Sequence, residues 1–459
     1  MSDRPNSQIK QLRSLGASPS PTDQQQAPPQ DETPRNTLWS PPPLGSIEDT
    51  GLNLLALADL VLKVLYFGGV MQGSRIADII KLPYQNVVSE IMEFLKKEQY
   101  VEIRGGGTLG AASYRFVITD KGAAKSREAL ERSQYAGPAP VPINVYIAAM
   151  DQQNERDKQV NQRLLRRVME NLVVSDDMLS KIGPAINSKR SIFLYGPPGN
   201  GKTTLSEKIG RLVLGDDMFI PHAIDVDGQV IQVFDSVNHE IAEDQQVERL
   251  GTGLVPDPRW IRIRRPMIMV GGELTMAGLD LVYNDVNKYY EAPYQVKANG
   301  GMFLIDDFGR QQVRPVDLLN RWIVPLEKGV DFLTLANGRK IEVPFYVMIV
   351  FSTNLDPKDL VDEAFLRRIR YKIEVGNPTA EQFGEIFKIM CRIMKVPYDE
   401  KGLKYLIKEW YIRGDRDFRN VHPRDILSQL KDIAAYKEVE PRLTPELIDA
   451  ACDSYFVEL

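Results

Sequence analysis

Cysteine and histidine are scarce in this chain of 459 residues, which has two cysteines, Cys391 and Cys452, and three histidines, His222, His239 and His422. Two cysteines cannot build a disulfide framework, so a reducing compartment suits the composition. The histidines lie far apart, with no ligand spacing to either cysteine, which argues against zinc. There is no excess of positive charge. A net charge of −5 gives no general pull toward nucleic acid or anionic membrane, so such binding would need a local patch. Long apolar runs are missing too. The longest candidate, Leu52 to Met71, carries Asp59 and Lys63, and the first fifty residues lack the apolar stretch of a secretory signal. The expectation is a cytoplasmic chain without membrane insertion.

What is present is length and an ordinary globular balance, 43% apolar and 26% charged. Such a chain is expected to form about two to four domains. Its most informative stretch is Gly196-Pro197-Pro198-Gly199-Asn200-Gly201-Lys202-Thr203-Thr204, directly after the apolar run Ser191 to Tyr195. Bare backbone holds a polyanion only where successive N–H groups face one concavity, and glycines permit that. The loop opens a helix expected over Thr203 to Leu214, whose amino end carries partial positive charge. Lys202 supplies a point charge for the β- and γ-phosphates, and the Thr203 hydroxyl is placed to ligate Mg²⁺. A nucleoside triphosphate is the ligand this pattern selects.

A second apolar strand, Gly301 to Ile305, ends in Asp306-Asp307. Asp306 suits Mg²⁺, and Asp307 stands where a carboxylate would orient attacking water. A third, Tyr346 to Phe351, ends in Ser352-Thr353-Asn354.

In this order of parts the chain resembles the AAA+ ATPases over about residues 170 to 459. The resemblance implies ATP and Mg²⁺ as ligands and Asn354 as a sensor beside the γ-phosphate. Asp362 to Tyr371 resembles the segment carrying the family's arginine finger, implying that Arg368, or next to it Arg367, reaches a neighbouring subunit's nucleotide. Val421 to Leu427 is similar to a second sensor, implying that Arg424 reaches the nucleotide from an α-helical lid. Asp307 departs from the family's usual Glu by one methylene. That leaves two outcomes open, a slow ATPase or a chain that binds ATP and cycles poorly.

Upstream, residues 1–48 are rich in Pro, Gln and Ser and read as a disordered tail. Residues 50–132 give three helical patterns, the third over Tyr84 to Glu98, then two strands about Gly105-Gly106-Gly107. This order resembles a winged-helix domain. Its third helix starts without Arg or Lys, which favours protein over DNA as partner, although Gln85, Asn86, Arg104 and Arg115 keep DNA open. Residues 133–170 form a Pro-rich linker and a helix expected over Ile143 to Leu172. Residues 171–376 form the α/β nucleotide-binding domain and 377–459 the lid.

Two additions stand out. Asn337-Gly338 predicts a hairpin with a type I′ turn, tipped by Arg339 and Lys340, in the position of a pre-sensor hairpin. Between the phosphate loop and Asp306 lie a second hairpin around Asp227-Gly228 and a strand presenting Arg262 and Arg264 on one face.

The expected fold class is therefore α/β, a P-loop AAA+ core with a parallel sheet and a helical lid, preceded by a small α+β winged-helix domain. The expected function is ATP hydrolysis driving remodelling of a protein client by a homo-oligomeric ring, a hexamer. A DNA-associated regulator and a nucleotide-gated scaffold are the alternatives.

Overall fold

The computed structural model describes residues 39–105, 111–154, 159–213, 217–243, 255–360 and 366–456. Residues 1–38 of the expected tail, Gly106 and Gly107, Leu214, and residues 361–365 of the finger segment lie outside them.

Near its start, Asn53 accepts the Ala56 amide at 2.7 Å and so caps helix α1 (Leu54–Gly68), which buries Leu57, Val61 and Leu65. Strand β1 (Met71–Gln72), helices α2 (Gly73–Ile80) and α3 (Ser89–Lys97), strands β2 (Val101–Ile103) and β3 (Arg115–Ile118), and helix α4 (Asp120–Arg132) follow. The strands form an antiparallel sheet in the order β1-β3-β2. Ile76, Ile80, Ile91 and Leu95 close a core against α1. Strand β1 was not expected, because two residues carry no period and are held only by pairing with β3. The third helix also begins later than its pattern suggested. Gln85 has ψ 136° and Asn86 φ 67°, so the residues offered as base readers sit in a turn before the helix.

Two further expectations need correcting. Residues 39–48 do not continue the tail: the Trp39 ring meets Trp260 edge-on at 5.2 Å between centroids, and Ile47 is buried. The linker is not free-standing either, since β4 (Val141–Pro142) joins a sheet and the Ala139 amide donates to Ile80 O at 2.7 Å. The single helix expected next is two, α5 (Ile143–Asn154) and α6 (Gln162–Val168), followed by α7 (Asp176–Asn187).

From there the chain runs through β5 (Ile192–Tyr195), α8 (Lys202–Val213), β6 (Asp217–Pro221), β7 (Ala223–Val226), β8 (Gln229–Gln232), β9 (Trp260–Arg264) and β10 (Met267–Val270). It continues with β11 (Val282–Asn284), β12 (Tyr289–Glu291), α9 (Tyr294–Lys297), β13 (Met302–Ile305), α10 (Pro315–Lys328), β14 (Val330–Thr334) and β15 (Lys340–Pro344). Last before the lid come β16 (Met348–Thr353), α11 (Pro357–Leu360) and β17 (Tyr371–Glu374).

Five of these strands form a parallel sheet in the order β10-β13-β16-β5-β17. Its central strands are continuous apolar runs because helices cover both faces, and every residue of β13 and β16 is buried. Each fully buried Ile, Val or Phe there contributes about 1.5–3 kcal/mol. This order places β5, which feeds the phosphate loop, next to β16, with β13 one strand further on. Their carboxyl ends, where the acidic and polar residues sit, therefore converge.

The segment between α8 and β13 supplies four strands of a second five-stranded sheet, β11-β12-β8-β7-β4, and β4 from before the nucleotide-binding domain completes its edge. Asp227 (φ 51°) and Gly228 (φ 81°) turn its β7–β8 hairpin, both left-handed as a type I′ turn requires. The β14–β15 hairpin lays Leu333, Leu335, Ile341 and Val343 into the core beneath this sheet. Its turn is not the expected type I′. Only Gly338 is left-handed (φ 82°), and the Asn337 side chain accepts the Arg339 amide at 3.0 Å. Beyond β17, helices at Ala380–Met394, Glu400–Leu406, His422–Tyr436 and Pro445–Tyr455 pack around their own apolar core.

Candidate functional site

The phosphate loop is shaped by its glycines. Gly196 leaves β5 at φ 134°, and a Cβ there would lie 2.4 Å from Val375 O, so no larger residue fits. Gly199 (φ 78°) lies against Val421, whose Cγ1 would be 2.7 Å from an added Cβ. Among the described residues, the amides of Gly199, Asn200 and Gly201 have no acceptor, which leaves them free for an anion.

Five residues from two strand ends and one helix then form a continuous chain of contacts. Lys202, buried at the start of α8, donates to Gly196 O (2.8 Å), Pro197 O (3.0 Å) and Asn354 Oδ1 (2.6 Å). Asn354 Nδ2 donates to Asp307 Oδ1 at 3.0 Å. The Asp307 amide donates to Asp306 Oδ1 at 3.0 Å, and the Thr203 hydroxyl donates to Asp306 Oδ2 at 2.7 Å. Asp307 itself has φ 49°, unusual for a residue with a side chain and a small reservoir of strain. Burial holds the Lys202 ammonium below its ordinary pKa, Asp306 and Asp307 oppose that, and Arg419 adds to it.

These groups line one end of a cavity of about 980 Å³. Leu172, Val174, Ile373, Ile386, Ile389 and Met390 line another part of it, apolar where the first is polar. That division suits a ligand with a flat apolar part and a polyanionic tail. The oxygen donors Thr203 and Asp306 suit Mg²⁺, which keeps few protein ligands and takes the rest from phosphate and water. Among the described residues no cluster of three His, Cys, Asp or Glu competes for a metal.

The lid is fastened straight to the loop. Asn200 Nδ2 donates to Asn377 Oδ1 (2.9 Å), Asn420 Nδ2 donates to Asn200 O (2.8 Å), and the Val421 amide donates to Gly199 O (2.9 Å). Arg424 lines the cavity from the first turn of His422–Tyr436, with its Nε on Asp425 Oδ1 at 2.9 Å. Arg419, which sequence reasoning missed, has a buried Nη1 without a hydrogen-bond partner among the described residues. Its only signal was one more cation in a charged stretch. Thr204 lines the cavity beside Thr203.

Arg367 and Arg368 are not brought to this cavity. They line a separate cleft, where Arg368 Nε donates to Glu327 Oε1 at 2.6 Å. Three of the other basic candidates pair with carboxylates: Arg262 with Asp217 (2.8 Å), Arg264 with Glu240 (3.0 Å), and Arg339 at the hairpin tip with Asp227.

Residues 379–454 match a family model described as a domain of unknown function, DUF8689. No curated protein matches the chain. Among solved structures, NtrX from Brucella abortus in complex with ADP is similar at 12% identity and a TM-score of 0.39, over 73% of this chain and 67% of that one. NtrX in complex with ATP gives 13% identity and a TM-score of 0.38, over 72% and 64%. RuvB from Thermotoga maritima, a Holliday junction branch migration motor, gives 14% and 0.35, over 62% and 70%.

Proposed function

We propose that this chain is an AAA+ ATPase that binds ATP with Mg²⁺, hydrolyses it in an assembly of like subunits, and remodels a protein client. The observation that carries the reading is the contact chain Lys202–Asn354–Asp307–Asp306–Thr203, which gathers five polar residues at the mouth of one phosphate loop. Lys202 and the loop amides hold the phosphates, and Asn354 and Asp307 position water. Thr203 and Asp306 would hold Mg²⁺, which neutralises phosphate charge. Arg368 or Arg367, remote from their own chain's loop, act on a neighbour's γ-phosphate, with a ring, most simply a hexamer, as the assembly. Arg424 senses nucleotide from the lid.

Residues 54–132 act as a winged-helix module for protein contact. The exposed residues in the first turns of α3 are Glu90 and Glu93, which repel a phosphate backbone, and the exposed Lys96 and Lys97 lie only in its last turn. A nucleotide-gated scaffold is the second reading. It is favoured by the short Asp307 side chain, whose Oδ1 is already bonded to Asn354.

Lys202→Ala is expected to abolish ATP binding, and Asp307→Asn to keep binding while stopping phosphate release, both read by calorimetry and a phosphate assay. Turnover by Asp307→Asn at the parent rate removes Asp307 from its role. Tight ATP binding by assembled parent protein with no phosphate release selects the scaffold.

A further inference from the structure

Several arginines outside the nucleotide site are held by carboxylates. Arg262, Arg264, Arg321 and Arg314 each sit 2.6–3.0 Å from a carboxylate. In one cleft, by contrast, four cations without such partners among the described residues share a single concave wall. This cleft, of about 740 Å³, is lined by the residues leading into three strands of the parallel sheet: Ser191 before β5, Gly301 before β13 and Arg370 before β17. It therefore lies at the amino ends of those strands, away from the phosphate loop at the carboxyl end of β5.

Arg190, Lys328, Arg367 and Arg370 line it, and all four are exposed. None has an ion-pair partner among the described residues, and the one carboxylate in the lining, Glu327, is engaged by Arg368 at 2.6 Å. Unpaired cations on one concave wall repel each other and concentrate a positive field, in a chain whose net charge is −5. A multiply charged anion relieves that repulsion. The planar forks of three arginines match phosphoryl oxygens, and the volume falls in the ordinary range for a small ligand. Of the two aromatic side chains in the lining, Phe345 is buried and Tyr346 half-buried, which leaves little ring face for a nucleobase.

We infer that this cleft is a polyphosphate site, binding a linear chain of two or three phosphoryl groups. The chain has two possible sources, a free polyphosphate or the triphosphate held by a second copy's loop. The second source rests on the function proposed above, and the first does not.

The probe is inorganic tripolyphosphate, titrated calorimetrically into full-length Lys202→Ala protein so that the phosphate loop is silent. Binding is expected, weakening as salt rises, and roughly tenfold weaker or worse once Arg190→Ala and Arg370→Ala are added, since each removes a charge-assisted contact. Arg264→Ala with Arg314→Ala, which lowers net charge equally elsewhere, is expected to leave affinity unchanged. Mixing Lys202→Ala protein with the Arg190→Ala/Arg370→Ala protein then separates the sources. ATP turnover above that of either alone assigns the site to a neighbour's triphosphate, while tripolyphosphate binding without that gain assigns it to a free chain. No tripolyphosphate binding together with no gain on mixing overturns the site, and so does equal affinity in the control and the Arg190/Arg370 variants. Should parent protein show no turnover, titration alone decides, so the two readings fail separately.

Discussion

The two five-stranded sheets of this chain are held by different means. In the parallel sheet the central strands are buried apolar runs, and Phe193, Phe308, Phe351 and Trp322 pack ring to ring beneath them. The second sheet also rests on an apolar core, with Ile224, Val226, Ile231 and Tyr290 in it, but buried polar knots tie it to its surroundings. Arg259, nearly inaccessible, pairs with Asp257 at 2.8 Å and donates to Thr50 O (2.8 Å) and Pro140 O (3.2 Å). That one side chain ties the amino-terminal module, the linker and the inserted strands together. Lys297 does similar service with Asp235 and Glu291. Packing made of many small contacts tolerates the loss of one, whereas a junction tied by a few buried polar contacts does not.

The sharpest way to break this contrast is Arg259→Ala. It strands the Asp257 carboxylate and two buried carbonyls, and removing one partner of a buried pair costs about 3–5 kcal/mol. A large fall in the denaturation midpoint is expected, with faster proteolysis around residues 133–142. Replacing both partners by Met and Leu should recover only part of the loss, because Thr50 O and Pro140 O stay unpaired. If Arg259→Ala unfolds at the parent midpoint, the knot does not hold the module.

Acid offers a second, somewhat smaller test. The parallel strands contain no histidine, whereas His222 and His239 lie in the inserted region. Burial, with Lys81 adding, pushes His222 down to about 4. Burial also lowers His239, whose Nδ1 accepts the Asp235 amide while Nε2 meets Lys297 O, which holds the ring neutral. Both folded pKa values lie below the unfolded value near 6.5, so the unfolded chain binds more protons between them. The stability His222 contributes is whole above pH 6.5 and is lost as pH falls toward about 4, and His239 acts in the same direction. Hydrogen exchange at pH 5 against pH 7 should show roughly tenfold lower protection in β7, β8 and β12 before β13 and β16 change. Earlier loss in β13 or β16 would sink the idea.

The same contrast explains what could be read from the sequence. The phosphate loop, Asp306, Asp307 and Asn354 were legible because each sits at the end of an apolar run, and strand order alone brings the runs together. Arg259 was not, since its acceptor on Thr50 lies 209 residues away and nothing local announces it. Trp39 and β1 were hidden for the same reason, having partners but no period. The Asn337-Gly338 turn misled because a side-chain bond to the Arg339 amide supports a wider loop than the dipeptide predicts. Arg419 stayed hidden because its distinction, a buried unpaired nitrogen, exists only after folding.

The smallest expected effect tests the tolerant half of the comparison. Ile349 sits in the middle of β16, fully buried and paired with Phe303. Ile349→Val removes one methylene from a layer of many contacts, at a cost of about 0.5–1.5 kcal/mol. A modest shift in denaturation midpoint should follow, with ATP affinity unchanged, because Asn354 at the strand's far end is placed by backbone pairing rather than by that methylene. A loss as large as that of Arg259→Ala would mean the parallel sheet is no more forgiving than its neighbour, and the distinction between packed and knotted sheets would have to be abandoned.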